Sequence, residues 1–147
     1  RYWLQQLLNR ETGFAFNMPS VLSVVPLESI IKWCFGLPEL GPIFVASCLN
    51  VLETVDDQEK PSALFVSLLE NFGHDKSVSS ALSDNINCRG WSGSLVPYLE
   101  SDKKSLKSLL DHSNSNVRNW VKNHINYIDR QIDYETTKDE EMGIAFW

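Results

Sequence analysis

Two segments of this chain share a spacing that limits what it can fold into. In "HDKSVSSALSDNI" and "HSNSNVRNWVKNHI" a polar residue suited to capping a helix precedes a valine by three positions, and Asp75 and Asn114, like Val78 and Val117, lie 39 residues apart. Each segment continues with apolar residues at helical period: Val78, Leu82 and Ile86 in the first, Val117, Val121, Ile125, Ile128 and Ile132 in the second. Each is also preceded by another apolar helical stripe. Leu64, Phe65, Leu68, Leu69 and Phe72 form the earlier one, and Leu95, Leu99, Leu106, Leu109 and Leu110 the later. Stepping back 38 residues from Val78 reaches Leu40, where Leu40, Phe44, Cys48 and Leu52 extend the same four-residue stripe behind Leu27, Ile30, Ile31 and Phe35. Two helices recurring at a fixed period cannot each bury an apolar face alone, so the pattern predicts a stack of helical hairpins.

The last unit carries a resemblance. Asn114, Val117, Arg118 and Val121, behind Leu109 and Leu110, occupy the places of the polar cap, Val-Arg pair and following small apolar residue of the HEAT family of repeats, and the likeness covers about residues 95–128. The chain departs from that family elsewhere: Ser79 and Gly41 stand where its arginine would fall, and His112 stands where its acidic residue often does. An Asp–Arg ladder between units is therefore not implied. The resemblance implies an all-α, right-handed α-solenoid of about three antiparallel helical hairpins, HEAT- or armadillo-like, with a concave surface made largely by second helices. The pattern alone is also compatible with an irregular helical bundle.

On this reading residues 1–147 form a single helical-repeat domain, expected to be part of a longer protein, with a short helix at 2–10 and hairpins at about 21–53, 61–86 and 94–140. The polar, acidic "TVDDQEKP" at 54–61 and the glycine-rich "NCRGWSGS" at 87–94 read as linkers between hairpins. Asp75 and Asn114 are the expected N-caps, Gly73 the expected left-handed stop of the helix before Asp75, and Pro97 is tolerable in a first turn. Trp120, Tyr127 and Tyr134 recur every seven residues and widen the buried face of the last helix.

Charge and cysteine usage bound the partners. The net charge is −6, and Asp129 to Glu141 alone holds six acids against Arg130 and Lys138, which disfavours nucleic acid as a partner. The apolar runs stop short of the roughly 20 residues a bilayer span needs, so no membrane contact is expected. Cys34, Cys48 and Cys88 are odd in number and form no CxxC pair, which favours free thiols and a cytoplasmic location.

Nothing assembles a catalytic, cofactor or metal motif, so the chain is not expected to be an enzyme. His74 and His112 fall in turns, His124 beside the apolar stripe, and the acids at 129–141 read as a solvated helix face. What remains is recognition. A protein-interaction or scaffold module is expected, binding another protein or another domain of its own parent chain through the repeat surface. Trp91 and Tyr98 beside the second linker, Arg118, and Phe146 and Trp147 in the apolar end "GIAFW" are the candidate contact residues. That end is expected to dock onto the third hairpin or onto a neighbour, with a homodimer as one outcome. A stand-alone helical regulator with an enclosed apolar cavity for a small effector is the alternative. A metal-dependent hydrolase would require convergent His and Asp side chains.

Overall fold

The computed structural model describes residues 18–143, which are mostly helical with one two-stranded sheet. Three short helices come first: α1 (Met18–Val24), α2 (Leu27–Gly36) and α3 (Gly41–Cys48). Strands β1 (Leu52–Val55) and β2 (Gln58–Pro61) follow, then α4 (Ala63–Phe72), α5 (Lys76–Asn87) and α6 (Val96–Leu106), which tightens into a 3-10 turn at Lys107–Leu109. The long helix α7 (Ser115–Met142) closes the series. The helix expected at 2–10 and the docking of Phe146 and Trp147 lie outside the described residues.

The helix starts follow from side-chain chemistry. Asp75 accepts a hydrogen bond from the Ser77 amide at 2.8 Å, and Asn114 Oδ1 accepts from Asn116 and Val117 at 2.9 and 3.4 Å. Both residues satisfy amides that the first turn leaves unpaired. Ser62 caps α4 in the same way, and its hydroxyl also donates to Asn50 O at 2.6 Å, fixing where the sheet hands over to the helix. Gly73 departs from expectation: its φ of −65° is right-handed, not left-handed. The glycine is needed for space instead, because a Cβ there would lie 2.5 Å from Leu69 O and 3.1 Å from Asn116 Cβ. The left-handed stop occurs at Gly143, with φ 70°, at the end of α7.

Four other expectations are corrected. Residues 54–61 are not a plain linker: Val55 pairs with Gln58 and Leu52 with Pro61 in an antiparallel hairpin turned by Asp56 and Asp57, both at positive φ. In the first unit the buried face is not Leu40, Phe44, Cys48 and Leu52. Leu40 is exposed, and Val45, Ala46 and Leu49 fill the core, because α3 begins only at Gly41 with Pro42 in its first turn. The acidic end of α7 is only partly solvated, since Glu135 and Asp139 turn inward, and Tyr134, expected on the buried face, is exposed.

One continuous core runs from Ile30, Ile31 and Cys34 through Phe65, Leu68, Leu69, Val78 and Leu82 to Val117, Val121, Ile125 and Ile128. Joined through Gly73, α4 and α5 find their principal neighbours elsewhere: α4 packs on α7, and α5 on α3. Asn85 Nδ2 on α5 donates to Ala46 O and Leu49 O at 2.8 and 2.7 Å, capping the carbonyl end of α3 from outside that helix. Further along, the indole N–H of Trp120 on α7 donates to Ser79 O on α5 at 3.1 Å. The three helices that end the three predicted hairpins are thus tied in series, α3 to α5 to α7.

Candidate functional site

Between α5 and α7 lies a groove of about 450 Å³. Its placement begins at the turn after α4, where the absent side chain of Gly73 lets that turn approach the first turn of α7 and Asn116 Nδ2 reach Glu70 O at 3.4 Å. With both N-terminal ends held there, α5 and α7 present facing walls. On α5 the wall is made by Ser79, Ser80, Ser83, Asp84 and Asn87, and on α7 by Asn119 and Asn123, with Trp120, His124 and Tyr127 as its aromatic side.

The aromatic side is built at helical spacing. Trp120 meets Phe65 edge-on at 5.1 Å, His124 stacks on Trp120 at 4.7 Å with the rings within 10° of parallel, and Tyr127 tilts against His124 at 5.6 Å. The residues at i, i+4 and i+7 of one helix lie on one face, which brings these three rings into a row. His124 is only 4% exposed and its Nε2 has no hydrogen-bond partner. Burial, with a smaller contribution from the nearby Arg89 charge, lowers its pKa to about 4, so the ring is neutral at neutral pH.

The second linker is pinned at both ends, which bears on Trp91. Arg89 pairs with the buried carboxylate of Asp102 on α6 and donates to Ile86 O at 3.1 Å. Ser94 donates to the buried carboxylate of Asp139 on α7 while its oxygen accepts from the Val96 amide at 3.1 Å. Burial pushes the Asp102 carboxyl above its ordinary value even though Arg89 pulls it down. Between these anchors Trp91 stands 51% exposed, flanked by Gly90 and by Gly93 at φ 72°. Tyr98 is likewise exposed, in the first turns of α6.

Arg118 is placed differently. Its Nη1 donates to His112 O and Ser113 O at 2.7 and 2.8 Å, so the guanidinium organises the turn before α7. His112 belongs to the same turn, its Nδ1 accepting from the Asn114 amide at 3.0 Å and its Nε2 lying 3.5 Å from Glu70. His74 is exposed and apart from the groove lining, and among the described residues no three His, Cys, Asp or Glu side chains gather as a metal site. Cys34 is fully buried and its thiol is pushed up to about 11, whereas Cys88 is exposed. No described helix is long and apolar enough to cross a membrane.

Of the groove residues, Ser83, Asn87, Asn119 and Asn123 carry no motif in the sequence, and Ser79 stands out there only as a departure from the repeat pattern. Their signal was present as polar stripes at four-residue spacing beside the apolar stripes of two successive second helices. What the sequence lacked was the fact that those helices are neighbours. Compared with known proteins, the chain matches no family model, no curated protein and no solved structure.

Proposed function

We propose that this chain is a protein-interaction module, a HEAT-like stack of about three hairpins whose second helices form the surface that receives a segment of a partner protein. The groove between α5 and α7 carries the reading, because it is open to solvent and lined by side chains that both donate and accept hydrogen bonds. The series of side-chain bonds from α3 to α5 to α7 supports the stacked arrangement. The pinned, half-exposed Trp91 offers a second contact point on the same chain, where a rigid aromatic can bury area at little entropic cost. A small-effector cavity would need an enclosed apolar chamber, whereas this groove is open to solvent and sets polar side chains beside its aromatic side.

The test is a selection of peptides displayed against the folded chain, followed by Asn119→Ala with Asn123→Ala. Both asparagines are exposed, so the melting temperature should stay within a degree or two while binding of the selected peptides falls by about tenfold or more. Peptides that bind the double variant as tightly as the parent would overturn the groove as the interaction surface.

A further inference from the structure

We propose that the occupant of the α5–α7 groove is a short extended peptide of three or four residues that carries a lysine or arginine side chain toward Asp84. The proposal rests on the reading of this groove as a peptide-receiving surface and specifies the chemistry of what it receives.

Spacing is the first argument. On α5, Ser79, Ser83 and Asn87 follow one another at four-residue intervals, and on α7 so do Asn119 and Asn123, all lining one groove. Four residues of α-helix advance about 6 Å, and two residues of an extended chain advance about 6.6 Å. A strand laid along the groove therefore brings same-side peptide groups nearly into step with both walls. The mismatch grows along the chain, which limits the match to a short segment. From Asn119 to Tyr127 the α7 wall is about 12 Å long, the span of three to four extended residues.

Hydrogen-bonding capacity is the second. The side-chain amides of Asn87, Asn119 and Asn123 have no partner among the described residues, so each can take both the N–H and the C=O of a passing peptide group. On the facing wall the hydroxyl protons of Ser79 and Ser83 are already committed, to Gly73 O at 3.0 Å and to Ser79 O at 3.2 Å. Their lone pairs remain, which suits peptide N–H groups. The Trp120 indole N–H is spent on Ser79 O, so on the aromatic side the Tyr127 hydroxyl and the neutral His124 ring are the groups left to hydrogen-bond beside the ring faces.

Charge selects the side chain. Of the groove-lining residues Asp84 alone carries a formal charge, His124 being neutral, and Asp84 is exposed and without an intramolecular partner among the described residues. An acidic ligand would meet this carboxylate and a chain of net charge −6, whereas a basic one is attracted by both.

The experiment uses the 15N-labelled chain and three capped tetrapeptides, Ac-Ala-Arg-Ala-Arg-NH2, Ac-Ala-Gln-Ala-Gln-NH2 and Ac-Ala-Glu-Ala-Glu-NH2, with N-acetyl-arginine amide as a single-residue control. The readout is the side-chain amide resonances of Asn119 and Asn123. The arginine peptide should shift them with a Kd about five- to tenfold below that of the glutamine peptide, and Asp84→Asn should remove that advantage. Equal affinity for the arginine and glutamine peptides would overturn the charge assignment and leave a peptide groove standing. Equal affinity for the arginine peptide and the single-residue control would overturn the extended ligand in favour of a cation site. If no peptide shifts these amides at millimolar concentration, the groove receives no peptide, and both this proposal and the reading beneath it fall.

Discussion

His124 is the residue at which stability and pH meet. Its ring is stacked on Trp120, almost wholly buried, and held to a pKa of about 4 chiefly by that burial. In the unfolded chain the same imidazole takes up a proton near 6.5. Between those values the unfolded state binds more protons than the folded one, so stability is full above about pH 6.5 and falls as the solution is acidified toward 4. At pH 4.5 the loss from this residue should be roughly 2–3 kcal/mol. Asp102 acts in the other sense, because its raised folded pKa makes stability decline as pH rises through the carboxylate range. Urea midpoints measured at pH 7.5 and 4.5 in the parent and in His124→Gln separate the two. The drop on acidification should be smaller in the variant by about the amount stated. An equal drop in both proteins would mean that the buried imidazole is not what titrates.

At the scale of elements, the hairpin at 52–61 shows how local conformation and sequence pattern part company. Val55 and Gln58 flank a two-residue loop in which Asp56 and Asp57 hold φ of 52° and 61°, the geometry of a type I′ turn. Asn-Gly fits that turn best, and a β-branched residue fits it poorly. Asp56→Asn with Asp57→Gly is expected to slow amide exchange across 52–61, equivalent to about 1 kcal/mol of local stability, and Asp57→Val to speed it. Exchange left unchanged by the valine would show that the turn does not set the hairpin. The segment read as a linker because neither strand has an apolar face: most of Glu53 to Lys60 is solvent-exposed and held by backbone pairing, to which hydrophobic periodicity is blind. The α7 stripe, by contrast, was legible because Val117, Val121, Ile125 and Ile128 are buried at the spacing the pattern required. Asp139 was misread for the same reason that α7 was read well. Period alone places residues around a helix, but the loop that covers one end of it, through Ser94, comes from a distant part of the chain.

At the scale of the molecule, a stacked array and a single cooperative bundle make different claims about how damage spreads. In a stack each unit contacts its neighbours only, so stability is lost locally, whereas a bundle loses it everywhere at once. Asn85 is the place to ask. Its amide is the link from α5 to the last carbonyls of α3, donating to Ala46 O and Leu49 O, while α7 packs chiefly on α6 and α4. Asn85→Ala strips two hydrogen bonds from that junction and leaves the carbonyl end of α3 without them, a loss of about 2 kcal/mol. If the units are stacked, native-state hydrogen exchange should quicken within 41–49 by about tenfold or more, while the amides of Val117 to Ile128 keep the parent's protection. A uniform fall in protection from α2 to α7 would show that the chain unfolds as one body, and the repeat architecture drawn from the 39-residue spacing would go with it.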